Sequence, residues 1–247
     1  MSLIALILAL TAANTALPDG VAVASEGPAG PPRVLLLGDS NIKLALGTAL
    51  ETALGDAGYE VVRHARSVSG MARPDFFDWV SQGAQLVEQT DPDTVIIMFG
   101  GNDGQGLVPW GPQRRPIRWS EEQEWRREYR RRVATLAQEL SRGGRQVFLL
   151  SPTNRRPPTA RMKMRRIVDV QREALAGMDR AAWIDTFSLS SAPDGRYLAT
   201  GPDERGQIVP YRSEDGIHLT RAGAAALARG LLPAMRQRGL RVDPGRS

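Results

Sequence analysis

Short apolar runs that stop at a glycine or an acid alternate, from residue 33 onward, with stretches whose apolar residues recur every three or four positions. That alternation constrains the fold more than any other property of the chain. Residues 34–37 are continuously apolar and bounded by Gly38, and residues 94–99 are strongly apolar and end at Gly100-Gly101. Such runs suit strands covered on both faces, as in a parallel sheet. Residues 60–63, 146–150 and 182–185 supply three further strands. Between them, Ile42, Leu46, Ala49, Leu50, Ala53, Leu54 and Ala57 mark an amphipathic helix, and residues 76–89 read as another. Ser120 with Gln123 predicts a capping box. It opens a helix whose apolar stripe is Trp125, Tyr129, Val133, Leu136 and Leu140, with Arg126, Arg127, Arg130 and Arg131 on its outer face and Gly143-Gly144 ending it. Residues 161–176 are helical in pattern, and Thr220 is placed to cap a last helix running to about residue 232. The order predicts an α/β domain in three layers around a parallel sheet of about five strands, with ligands bound beyond the carboxyl ends of the strands. Residues 104–119 and 187–214 are long loops, of the length that is usually functional. There is no internal repeat and no second domain.

Ahead of this domain, residues 1–24 begin with an uncharged stretch rich in Leu, Ile and Ala, too short for a membrane span of about 20 residues. With Ala22-Val23-Ala24 as a small-x-small site, they read as an export signal or an N-terminal anchor. Residues 25–32, rich in Gly and Pro, read as a linker into a domain at residues 33–240. The chain is therefore expected outside the cytoplasm, periplasmic, secreted or membrane-anchored. It has no cysteine, so export does not depend on disulfides. The formal net charge of +5 comes from arginine, with Lys43 and Lys163 the two lysines, and 27 acids are interspersed among 32 basic residues. No basic stripe with interleaved aromatics forms a nucleic-acid motif.

Chemistry enters with Asp215-Gly216-Ile217-His218, which holds one of the two histidines and a carboxylate three positions before it. An imidazole titrates near neutral pH and serves as a general base, and an adjacent carboxylate fixes its tautomer. Gly38-Asp39-Ser40, just after the first strand, supplies a hydroxyl where a strand hands over to a helix. Alone, that serine reads more readily as a helix cap. Ser69-Gly70 and Gly101-Asn102-Asp103 follow two other strands. A glycine N–H and an asparagine amide are suitable donors to an oxyanion, although singly they read as an ordinary turn glycine and an Asx-turn. His64 has no orienting partner in sequence and reads as structural. No metal-spaced cluster of ligands is present.

Taken together, Gly-Asp-Ser, a later glycine, Gly-Asn-Asp and Asp-x-x-His, in this order from about Arg33 to Gly230, resemble the SGNH (GDSL-type) hydrolase superfamily. The four letters fall on Ser40, Gly70, Asn102 and His218. The resemblance implies a flavodoxin-like α/β/α fold with no metal or cofactor. It also implies Ser40 as nucleophile, His218 as base and Asp215 as its orienting carboxylate. The N–H groups of Ser40 and Gly70 and the Asn102 side chain would form the oxyanion hole. Asn41 departs from the leucine usual after the serine, and no Gly-x-Ser-x-Gly is present to suggest an α/β-hydrolase. Arg73-Pro74-Asp75-Phe76-Phe77-Asp78-Trp79, Gly101-Asn102-Asp103-Gly104-Gln105 and Asp194-Gly195-Arg196-Tyr197 are similar to an exported bacterial SGNH branch of unknown function. Related branches act on O-acetyl groups of envelope polysaccharides.

The expectation is a serine esterase for short acyl, above all O-acetyl, esters of an envelope carbohydrate, working through an acyl-enzyme. An O-acetyltransferase with a sugar hydroxyl as acceptor uses the same groups, and a non-catalytic glycan-binding module is the alternative from another class. Asp39, Arg73, Asp75, Asp103, Gln105 and Arg155 are candidate substrate contacts. Arg156 stands beside Arg155 on the ligand side, where a solvated loop is the plainer reading of both. Phe76, Phe77 and Trp79 read as core, and Trp110 and Trp119 suit either a sugar ring or packing.

Overall fold

Strand β1 (Arg33–Gly38) carries Val34 and Leu36 toward one face and Leu35 and Leu37 toward the other, and all four side chains are buried. The same alternation runs through β3 (Thr94–Met98) and β4 (Gln146–Leu150), which makes the continuous apolar runs intelligible as strands with helices on both sides. Strands β2 (Glu60–Ala65) and β5 (Ala181–Ile184) close the two edges. The sheet is wholly parallel in the order β2-β1-β3-β4-β5. This is the expected three-layer architecture. The computed structural model of the protein describes residues 30–112 and 115–241. The signal or anchor expected at residues 1–24, and most of the linker at 25–32, lie outside them.

Helices α3 (Trp79–Thr90), α4 (Glu122–Leu140) and α5 (Pro158–Leu175) pack on one face of the sheet through Trp79, Trp125, Tyr129, Leu136 and Ile167. Helices α2 (Ala45–Asp56) and α7 (Arg221–Arg236) pack on the other through Leu46, Leu50, Leu227 and Leu231. Each such side chain contributes about 1.5–3 kcal/mol by leaving water. Among the described residues, no helix is long and apolar enough to cross a membrane.

Three local expectations fail, each for a physical reason. The helix expected through Ile42 and Ala57 breaks at Leu44, leaving a four-residue α1 (Ser40–Lys43) before α2. Gly47 packs so closely on the Ile42 carbonyl that a Cβ would stand 1.8 Å from it, and Arg63 satisfies that carbonyl instead. The helix expected from residue 76 starts at Trp79, because the Asp78 carboxylate accepts from the Val80 N–H and caps it there. The Ser120 capping box does not form. Helix α4 starts at Glu122, and the Glu121 carboxylate turns back to the Arg118 N–H and the Arg115 guanidinium. The loop at 187–214 also carries structure of its own, a short helix α6 (Thr186–Leu189) and an antiparallel pair β6 (Thr200–Pro202) and β7 (Ile208–Pro210).

Register decides where the loops emerge. Gly38 at the end of β1 pairs with Ala65 on one side and Met98 on the other. The segments that follow, 39–40, 66–70 and 99–103, therefore leave the carboxyl edge of the sheet side by side, where the strand order reverses.

Candidate active site

The turn out of β1 is sterically committed. A Cβ on Gly38 would lie 2.5 Å from the Met98 carbonyl oxygen, so only glycine lets the two strands end together. Asp39 then caps α1, its carboxylate accepting from the Asn41 N–H at 2.9 Å and the Asn41 amide at 3.1 Å. Ser40 follows as the first residue of α1, and its Oγ lies 2.8 Å from His218 Nε2. His218 Nδ1 is in turn 2.6 Å from Asp215 Oδ2. A proton on Nδ1 satisfies Asp215 and leaves the Nε2 lone pair facing the Ser40 hydroxyl. Partial burial acts to raise the Asp215 pKa, but the N–H groups of Ile217 and His218 and the imidazole outweigh it and hold the carboxyl down to about 2.

The segment bearing His218 is strapped to the sheet by arginines. Gly216 takes a left-handed φ of 66° and packs against the Arg156 side chain, where a Cβ would be 2.7 Å away. The Arg156 N–H donates to the Gly216 carbonyl at 3.1 Å and its guanidinium to the Glu214 carbonyl at 2.5 Å, so one residue grips both flanks of Asp215. Arg212, largely buried, donates to the Ile217 carbonyl, the Thr153 hydroxyl and the Ser190 carbonyl. Burial lowers its pKa to about 10. Thr220 then caps α7, accepting from the Gly223 N–H.

The donors opposite are set by a buried network. Asn102 Nδ2 donates to the Ser69 carbonyl at 2.9 Å, which fixes the amide beside Gly70 and leaves its second hydrogen without a partner among the described residues. Gly70 admits no side chain, because a Cβ would stand 2.2 Å from Asp103 Oδ1. Asp103 is wholly buried and accepts from the Met71 and Ala72 N–H groups and from the Tyr129 hydroxyl. Arg132, also buried, donates to the Met71 and Val108 carbonyls while paired with Glu128. The loop after Gly70 is thus held by its N–H groups from one side and by a carbonyl from the other. Among the described residues, neither the Ser40 nor the Gly70 N–H has a hydrogen-bond partner.

Ser40, His218 and Asp215 are therefore brought into one hydrogen-bonded line, and Gly70 and Asn102 are linked through Ser69. The candidate substrate contacts divide. Asp103 is corrected outright, because with no exposed surface it anchors the Gly70 loop and touches nothing from solvent. Asp39 is likewise buried. Burial raises the pKa of both carboxyls, that of Asp103 to about 6. Arg73 and Asp75 form an exposed two-pronged ion pair with each other, and among the described residues their side chains make no hydrogen bond or ion pair to the site residues. Gln105 is exposed and steadies Asn102 by donating to its carbonyl at 2.6 Å. Arg155 is not on a solvated loop; it lies mostly buried, against Gly101 and near Asp39. Trp110 donates to Asp78, and Trp119 packs edge-on against Trp125 with the Arg166 guanidinium over its ring. Trp79 is core and Phe77 packs against it, whereas Phe76 is exposed under Arg66. His64 stands exposed on the edge strand β2. Arg132, Arg212, Tyr129 and Gln171, whose amide donates to the Phe99 carbonyl, were not anticipated as supports. Two of them had a signal, since Tyr129 lies on the apolar stripe of α4 and Arg132 falls seven residues after Trp125 on the same face. No three His, Asp or Glu side chains among the described residues are grouped to hold a metal ion.

Residues 33–234 match the family described as Protein of unknown function (DUF459). No curated protein matches the chain. Solved structures do. LAE5, an alpha/beta hydrolase enzyme from the metagenome of Lake Arreo, Spain, is 16% identical with a TM-score of 0.57, covering 84% of this chain and 96% of that one. A variant of Axe2, an acetyl xylan esterase from Geobacillus stearothermophilus, is 18% identical with a TM-score of 0.57, covering 88% and 98%. TesA is 20% identical with a TM-score of 0.55, covering 83% and 98%. At such identities the likeness is one of fold.

Proposed function

The chain belongs to the family described as Protein of unknown function (DUF459), with the SGNH-hydrolase fold, and we propose that it is a serine esterase for short acyl esters of carbohydrates. The observation that carries this reading is the continuous line Ser40 Oγ, His218 Nε2, His218 Nδ1, Asp215 Oδ2, with links of 2.8 and 2.6 Å. In it, His218 takes the Ser40 proton as Oγ attacks the ester carbonyl, and Asp215 stabilises the imidazolium that forms. The negative charge on the carbonyl oxygen is met by the Ser40 and Gly70 N–H groups and the free amide hydrogen of Asn102. Collapse expels the sugar alcohol, protonated by His218, and leaves Ser40 acylated. Water, deprotonated by the same imidazole, then releases the acid. The likeness to an acetyl xylan esterase favours acetyl as the acyl group, and the export expected from residues 1–24 favours an envelope glycan.

Intact-mass measurement after a fluorophosphonate, with acetate release from an O-acetylated xylo-oligosaccharide, tests the proposal. Labelling of the wild type at Ser40, and loss of at least about a thousand-fold in kcat in Ser40→Ala, is the expected result. Equal acetate release by Ser40→Ala would overturn it.

A further inference from the structure

Arg155 is the one group at the site that nothing described so far uses. Its backbone N–H is taken by the Asn154 side chain, yet its guanidinium makes no hydrogen bond and no ion pair among the described residues. Its Nε is fully buried and without a partner. Buried polar groups are almost always satisfied, and an unpaired buried cation is among the costlier exceptions. The neighbouring arginines differ from it, since Arg156 and Arg212 spend their guanidinium groups on carbonyls and a hydroxyl.

Its position is specific. A Cβ on Gly101 would lie 2.3 Å from Arg155 Nη2 and 3.0 Å from Asp39 Oδ2. The guanidinium therefore fills the space that Gly101 leaves empty, one residue from Ser40 through Asp39 and one residue from Asn102 through Gly101. Part of the residue reaches solvent, so a ligand can approach it. Asp39 and Asp215 are the acids that act on it, neither within ion-pair distance, and three guanidinium groups stand around these two carboxyls. The Arg156 and Arg212 guanidinium groups are spent on the backbone beside Asp215, so Arg155 supplies the unspent N–H donors here among the described residues.

We propose that Arg155 binds a singly charged anionic substituent of the substrate, so that the ester cleaved at Ser40 sits on an acidic and not a neutral saccharide. A planar guanidinium matches a carboxylate or a phosphodiester through two N–H donors. A single guanidinium fork neutralises one negative charge, so a monoanion is matched without leaving a residual negative charge beside Asp39 and Asp215. This rests on the esterase reading for its chemistry, although the anion site itself does not require catalysis.

The test compares kcat/KM for O-acetylated trigalacturonate, O-acetylated oligo(glycerol phosphate) and O-acetylated xylotriose in the wild type, Arg155→Gln and Arg155→Lys. The wild type should prefer one anionic ester over the neutral one, and the better of the two identifies carboxylate or phosphodiester as the partner. Arg155→Gln should reduce that ratio about 10- to 100-fold, the worth of a charge-assisted hydrogen bond, through KM more than kcat. Arg155→Lys, which keeps the charge but not the fork, should keep part of it. A ratio that does not change in Arg155→Gln, whatever the absolute rates, overturns the proposal, as does a wild type that prefers the xylotriose ester. Calorimetry on Ser40→Ala with unacetylated trigalacturonate and oligo(glycerol phosphate) separates the two readings. Binding of either that is lost in Ser40→Ala/Arg155→Gln supports the anion site even if no ester is hydrolysed, and absence of binding by both counts against it.

Discussion

Asp103 and Asp215 have nearly the same hydrogen bonds and opposite characters. Each accepts from two backbone N–H groups and one side-chain donor, Met71, Ala72 and Tyr129 for the first and Ile217, His218 and the His218 imidazole for the second. Asp103 is wholly buried and its carboxyl is pushed up to about 6, whereas Asp215 is 44% exposed in its side chain and is held down to about 2. Desolvation is the largest influence on each, and it prevails only where water is fully excluded. The comparison teaches that equal bonding makes one carboxylate a structural anchor and the other an orienting group. The difference lies in which elements supply the donors. Those of Asp103 come from a loop and a helix far apart in sequence, so it joins them; those of Asp215 come from its own turn.

The sharpest way to break this contrast is Asp215→Asn. If Asp215 serves His218 and little else, kcat on an acetyl ester should fall about a thousand- to ten-thousand-fold, while the unfolding free energy from urea titration falls by no more than about 1 kcal/mol. A large loss of stability with modest loss of turnover would reverse the assignment. Asp103→Asn should behave the other way. It sets an amide N–H against groups that now donate, and should lower unfolding free energy by about 2–4 kcal/mol in urea titration. Activity is lost there only as far as the Gly70 loop shifts.

The smallest effect is in pH dependence. Because the folded pKa of Asp103 is raised from the usual 3.8 to about 6, native protein holds a proton there that unfolded chain has released. That contribution to stability is complete below about pH 4 and is lost as pH rises through 6, by up to about 3 kcal/mol. Asp215, lowered from 3.8 to about 2, contributes in the opposite sense. Its share is present above pH 4 and is lost as pH falls through 2, and solvent screening keeps it the smaller of the two. Urea midpoints measured from pH 2 to pH 7 should show the fall between pH 4 and 6 in the wild type and a smaller one in Asp103→Asn, where the raised carboxyl of Asp39 still contributes in the same sense.

Much of this was legible in sequence because it is local. Residues 34–37 and 94–99 are strands since only a two-sided sheet covers a continuous apolar run, and Thr220 and Asp215 act on N–H groups two or three residues away. The line from Ser40 to His218 was legible only as a recurring order of short motifs. The break at Leu44 and the late start of α3 were not, because each depends on one close approach or one cap that overrides periodicity. Asp103 was misread as a substrate contact for a related reason: whether a polar side chain beside a motif faces solvent or the core is invisible in a linear pattern.

What the sequence alone determined, then, is the layered sheet, its helices and which polar residues stand at the strand ends, because apolar period and turn chemistry act over a few residues. What only the tertiary structure decided is which polar groups are spent on one another. Asp103 met Tyr129 and the Met71 loop, and Arg132 met Met71, through contacts between residues distant in the chain, while the Arg155 guanidinium met no partner among the described residues. Desolvation and hydrogen bonding depend on who is adjacent in space, and that is fixed only once the strands are in register.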